Sequence, residues 1–147
     1  MNLHYDKYLT KKYPMLYKDR FKSMQETAMC WGFQCGDGWF ELLHALSDAI
    51  TTLAVRYGLD ITVSTVKEKY GTLSFYYVSQ PLDFHSELIR IDKKTQERGY
   101  NLIGTLVRHA ELATYHVCEV CGNWAEIRGK GWMTVRCDSC YKKEKNG

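Results

Sequence analysis

At 147 residues, 45% of them hydrophobic and 25% charged, the chain suits one ordinary domain, or a main domain with a small appendage, around a core of modest size. Two prolines, no internal repeat and no low-complexity tract leave little room for disorder. No apolar run reaches the roughly 18 residues of a membrane-spanning helix, and a formal net charge of +3 is too small to single out a polyanion as partner.

Leu3, Tyr5, Tyr8, Leu9 and Tyr13, with lysines between them, predict a short first helix over 3–13 that Pro14 ends or kinks. A weaker helical stretch runs from about Leu16 to Met29, with Phe21, Met24 and Ala28 on one side. Residues 31–39 read as a shaped loop with two aromatic anchors, Trp31 and Trp39. Its glycines, Gly32, Gly36 and Gly38, imply backbone at positive φ or in close approach to a neighbour. Asp37 is placed to cap the helix after the loop. Apolar residues at 39, 42, 43, 46, 50, 53 and 57 give that helix one buried face, and Gly58 fits its stop.

The run from Ile61 to Lys69 is β-rich, and a second such run covers Thr72 to Val78. Ile61, Val63 and Thr65 alternate with polar residues, as Leu73, Phe75 and Tyr77 do with Ser74 and Tyr76. A short turn through Lys69, Tyr70 and Gly71 makes the pair a hairpin. Residues 80–85 form a connection, and Ser86 is placed to cap a helix that continues, with a break near Gly99, to about Tyr115. Leu102, Ile103, Leu106, Val107, Ala110 and Ala113 supply the apolar face of its second half. That helix leads almost directly into Cys118.

Cys118-Glu119-Val120-Cys121 and Cys137-Asp138-Ser139-Cys140 are two Cys-x2-Cys pairs with 15 residues between them, a spacing suited to tetrahedral zinc. Each short turn aims two thiolates at one ion, and two turns close the shell. Trp124–Arg128 and Trp132–Arg136 read as short strands about Gly129-Lys130-Gly131, so the segment is expected to form a zinc ribbon. Four thiolates leave no position for an activated water, which makes one structural Zn²⁺ the expectation. His109 and His116 read as ordinary helix and linker residues. Cys30 and Cys35 form a second metal site with His44 in one reading, and small buried side chains in the favoured one.

Charge is unevenly distributed. Lys7, Lys11, Lys12, Lys18, Arg20 and Lys22 face only Asp6 and Asp19 in the first 22 residues, while the last 30 residues carry a surplus of two positive charges that a four-thiolate zinc site would cancel. Asp37 and Glu41, one helical turn apart, could serve a metal or acid–base chemistry, but capping and surface solvation explain them better. No phosphate-binding glycine loop, His-x3-His pair or Gly-x-Ser-x-Gly elbow is present. Lys67, Lys69, Tyr70 and Tyr76 on the hairpin, with Trp124 and Trp132, form a candidate interaction surface for bases or for a protein. Core packing of some of the tyrosines is the plainer alternative.

Tyr13-Pro14, the run Gly32–Trp39, the run Val66–Tyr76 and Cys118-Glu119-Val120-Cys121-Gly122 together resemble a group of small, uncharacterised phage and prophage proteins. These combine a Cys-Gly-Asp-Gly-Trp loop, a Lys-Glu-Lys-Phe/Tyr-Gly-Thr-Leu hairpin and a terminal Cys-x2-Cys unit. The resemblance spans most of the chain and implies a phage or mobile-element origin and expression in a bacterial host; it brings no activity with it. Members of that group often end the second knuckle in Cys-x2-His, where this chain has Cys140. The zinc segment alone is also similar to the finger of RNA-polymerase secondary-channel regulators of the DksA/TraR type, through Cys118–Gly122 and Cys137–Cys140 followed by Lys142 and Lys143. The acidic coiled-coil tip of those regulators is not visible.

The expectation is therefore an α+β fold, with helices on a small antiparallel hairpin or sheet over 1–116 and a docked four-cysteine zinc ribbon over 117–147. The absence of an apolar N-terminal run and of a membrane span sets the expected location in the bacterial host cytoplasm. The expected function is that of a non-enzymatic phage accessory protein that binds a host protein and inhibits or redirects it. A nucleic-acid-binding or transcription-related zinc protein is the alternative, and a metal-dependent nuclease using Asp37 and Glu41 comes third.

Overall fold

The computed structural model describes residues 1–82 and 91–146. Helix α1 (Leu3–Lys12) starts where the Asn2 side chain accepts a hydrogen bond from the Tyr5 amide, and it stops at Tyr13, just before Pro14. Strand β1 is two residues long (Phe33–Gln34). Helix α2 (Phe40–Tyr57) buries Leu43, Leu46, Ser47, Ile50 and Ala54 along one stripe and ends at Gly58, whose φ of 62° suits a left-handed cap. Strands β2 (Leu59–Lys69) and β3 (Thr72–Pro81) form the long hairpin. Helix α3 spans Lys93–Ala113, and a single 3-10 turn, Thr114–His116, carries the chain on. Strands β4 (Glu126–Arg128) and β5 (Thr134–Arg136) precede α4 (Asp138–Asn146).

The fold is α+β. β1, β2 and β3 lie in that order in one sheet, with β1 parallel and β3 antiparallel to β2. α2 packs against β2 and α3, and α3 against β3. Between them Leu43, Ile50, Val63, Val66, Leu73, Phe75 and Ile103 are buried. Each such side chain removed from water contributes roughly 1.5–3 kcal/mol. Both edges of the sheet are partly covered. On the β2 side, β1 and the Leu16 carbonyl take the outward groups, the latter accepting from the Val63 amide at 2.9 Å. On the β3 side, side chains of α3 and the turn after it do so: Glu111 Oε1 accepts from the Phe75 amide and Thr114 Oγ1 from the Leu73 amide. At these positions the edge offers no template to another strand.

Several local expectations are corrected. The stretch Leu16–Met29 is a chain of turns ending in a 3-10 turn over Ala28–Trp31, and Phe21 and Met24 are exposed. Tertiary bonds bind the backbone there: Leu16 is tied to β2, and the Arg20 guanidinium donates to the Cys30 carbonyl and grips Asp6. Trp31 is exposed, and buried Phe33 takes its place as the first anchor of the loop. The alternation through Thr65 slips at a β-bulge between Val63 and Thr65, so Val66 is the residue that turns inward. α3 runs unbroken through Gly99, which is buried because its α-carbon lies against the Tyr57 ring, where a methyl group has no room. Its first turn is capped by Asp92, which accepts from the Thr95 amide; the expected Ser86 cap lies outside the described residues. Asp37 caps no helix, since α2 begins without a side-chain cap.

Candidate metal centre and its seat

Cys118 and Cys121 lie on the turn that comes after Thr114–His116, while Cys137 and Cys140 flank the start of α4. The β4–β5 pairing, Glu126 with Arg136 through Arg128 with Thr134, brings the two knuckles together. All four sulfur atoms lie within 4.8 Å of one another, and Cys121 Sγ is 3.6 Å from Cys137 Sγ. Among the described residues, no other cluster of three or more His, Cys, Asp or Glu side chains is arranged to hold a metal ion. The four thiols form a site that could hold one.

The thiols are not equivalent. Burial opposes ionisation of Cys118, but hydrogen bonds from the backbone at Cys137, Cys121 and Val120 help bring it down to about 7. Burial and the neighbouring thiols push Cys140 up to about 12. A cation that takes all four sulfurs therefore displaces protons as it binds.

The knuckle is seated on the loop at residues 35–39, and this explains the glycines there. The Gly38 amide donates to the Glu119 carbonyl at 2.8 Å, and the Gly36 amide to Glu119 Oε1 at 2.9 Å. Trp39, fully buried, donates from Nε1 to the Val117 carbonyl at 2.9 Å. A Cβ on Gly36 would collide with the Glu119 carbonyl, and one on Gly38 with the Cys118 carbonyl and, at 2.7 Å, the Cys121 amide nitrogen. The other carboxylate oxygen of Glu119 accepts from Arg136 Nη1 at 2.8 Å. Glu119, an unassigned spacer within the first Cys-x2-Cys, thus joins the loop, the knuckle and β5. Spacing alone carries no signal for that role.

The other singled-out residues fall elsewhere. The Asp37 carboxylate accepts from both the amide and the side chain of Asn2, at 2.6 and 2.7 Å, which commits it to holding α1. His44 Nε2 lies 2.7 Å from Lys12 Nζ, and its ring stacks on Phe40. Cys35 is buried, which pushes its thiol up to about 12. His109 bonds the Thr105 carbonyl, and His116 stacks on Trp124 with rings 6.3 Å apart.

The six candidate surface residues divide into three places. Tyr70 is at the hairpin tip with Lys69 beside it, Trp132 on the β4–β5 loop lines the same cleft, and Lys67 lies further back on β2. Tyr76 lines a different, polar cleft with Arg108 and Tyr115. Trp124 lies before β4, 67% exposed, near exposed Val120 and Ile127 in sequence. Much of the basic N-terminal segment is already paired: Arg20 with Asp6, Lys18 with Asp60 and Lys22 with Asp19. No helix of the described residues is long and apolar enough to cross a membrane.

No protein-family model, curated protein or solved structure matches the chain.

Proposed function

We propose that the four thiolates hold one structural Zn²⁺, and that the protein is a non-enzymatic phage accessory protein that binds a host protein in the bacterial cytoplasm and inhibits or redirects it. Zinc is supported by size. At Zn–S distances of about 2.3 Å a regular tetrahedron has edges of about 3.8 Å, and Cys121 Sγ stands 3.6 Å from Cys137 Sγ, with all four sulfurs within 4.8 Å of one another. A closed sulfur shell supplies no open coordination position for substrate, so the metal acts by holding the β4–β5 hairpin in place. Metal analysis of the purified protein should return one zinc per chain; a stable, metal-free wild-type protein overturns this part.

The observation that carries the binding role is the apolar exposure of the metal module itself. Trp124, Val120 and Ile127 remain in contact with water on a unit whose own core is small. Large apolar side chains on a rigid support are what partner proteins bury at the centre of an interface. The phage setting rests on the resemblance carried by the 35–39 loop, the hairpin and the first knuckle. Affinity capture from nuclease-treated host lysate, followed by reconstitution with the purified partner, tests the reading. A stoichiometric complex weakened by Trp124→Ala is expected, and failure to find a stoichiometric protein partner counts against it.

A further inference from the structure

A cleft of about 320 Å³ separates the β2–β3 tip from the β4–β5 loop, lined by Glu68, Lys69, Tyr70, Gly131, Trp132 and Met133. Its two aromatic side chains are among the most exposed in the molecule, Tyr70 at 76% and Trp132 at 81%. Tyr70 adopts φ of 54°, the only non-glycine positive φ among the described residues, followed by Gly71 at 82°. A two-residue hairpin turn of this hand is normally given to Asn or Gly at its first position. The chain instead spends a strained backbone on a large ring that leaves the hairpin's own core. A Cβ on Gly71 would meet the Met133 backbone at 3.5 Å, an ordinary contact, so the hairpin tip and the ribbon lie side by side.

The exposed rings, with lysines close by in sequence, point to the occupant. Lys69 Nζ stands 5.6 Å from the Tyr70 ring centroid, Lys67 precedes it on β2, and exposed Lys130 adjoins Gly131. Glu68, the single carboxylate in the lining, is turned into the hairpin, where its Oε1 accepts from the Gly71 amide at 2.6 Å. The lining that stays open to a ligand is two aromatic rings, Met133 and one lysine, with Lys67 and Lys130 flanking it in sequence. A protein interface covers about 800 Å² on each partner, far more than six residues around a small cleft supply. One base against two rings, with its phosphates on lysines, needs no more than this.

We propose that the cleft binds single-stranded nucleic acid, stacking a base on Tyr70 and Trp132 and placing an adjoining phosphate near Lys69, with Lys67 and Lys130 the nearest further cations in sequence. The site is separate from the Trp124 surface and does not depend on a host-protein partner. Recognition through ring faces and phosphates is tolerant of sequence and sensitive to salt.

The test is fluorescence anisotropy of a labelled oligo-dT of about twelve residues with the zinc-loaded protein, read at about 50 and about 200 mM salt. Saturable binding is expected, weakening roughly sevenfold across that salt range if two phosphates are held. Trp132→Ala should weaken binding about tenfold. Tyr70→Asn should do the same while leaving thermal stability equal or higher, because Asn accepts the turn's backbone; a merely structural Tyr70 would give the opposite pattern. Absence of salt-dependent saturation, equal binding of a duplex of the same length, or wild-type affinity in both variants would overturn the proposal.

Discussion

The Gly38 α-carbon packs directly beneath the carbonyl oxygen of Cys118, so closely that a single methyl group there has no space. A loop near the start of the chain is therefore shaped around the first metal ligand near its end. Gly38→Ala should destabilise the protein by about 1–3 kcal/mol, the usual cost of overpacking, and should speed zinc transfer to a chromogenic chelator. Gly131→Ala is the control, since a Cβ at Gly131 meets nothing within 4 Å; its effect should stay within about 0.5 kcal/mol. Urea melts and chelator kinetics on the two variants make the comparison.

Trp39→Phe keeps most of the buried ring but removes the donor that satisfies the Val117 carbonyl. The expected loss is about 1–3 kcal/mol, the cost of a buried acceptor left without a partner. Hydrogen exchange should show that loss first at the knuckle amides that Cys118 and Gly122 donate and only later in α2.

Asp6 is nearly buried, and the Arg20 guanidinium reaches both its oxygens at 3.0–3.1 Å. Arg20→Met should cost about 3–5 kcal/mol in a urea melt at neutral pH, because it leaves that carboxylate dehydrated and unpaired. Adding Asp6→Asn in the Arg20→Met background should restore part of the loss, the signature of a stranded charge rather than of lost packing.

The six free cysteines should react in three steps. With zinc in place, half-buried Cys30 alone is expected to react promptly with a thiol reagent at about pH 8. A strong chelator should release the four ligand thiols. Cys35, buried and held protonated by a thiol pushed up to about 12, should wait for denaturant. Prompt labelling of Cys35 in the native protein would contradict its burial.

The elements legible in the sequence are those whose signal is local. The apolar stripe of α2, its Gly58 stop, the strand–turn–strand of the hairpin and the two Cys-x2-Cys turns each carry their pattern within a short window. What could not be read depends on partners distant along the chain. β1 has only two residues and exists because Phe33 and Gln34 pair with Val66 and Lys67. Leu16–Met29 has a helical look that long-range bonds from Val63 and Asp6 override. Gly99 reads as a breaker, yet it is the flat spot that lets α3 reach Tyr57. At the metal centre the ligands were evident from spacing. The seat beneath them was not, because nothing in the run from Cys35 to Trp39 says that its neighbour is Glu119.

The bond from Trp39 to Val117 spans 78 positions in the chain, and that from Gly36 to Glu119 spans 83. Residues 117–147 are consequently not a portable finger. Grafted onto another scaffold, they would arrive with Glu119 missing its amide partners and the Val117 carbonyl bare. A transplant that keeps its shape would have to carry the 35–39 loop along, joined through a new connection at the distance the native core now sets.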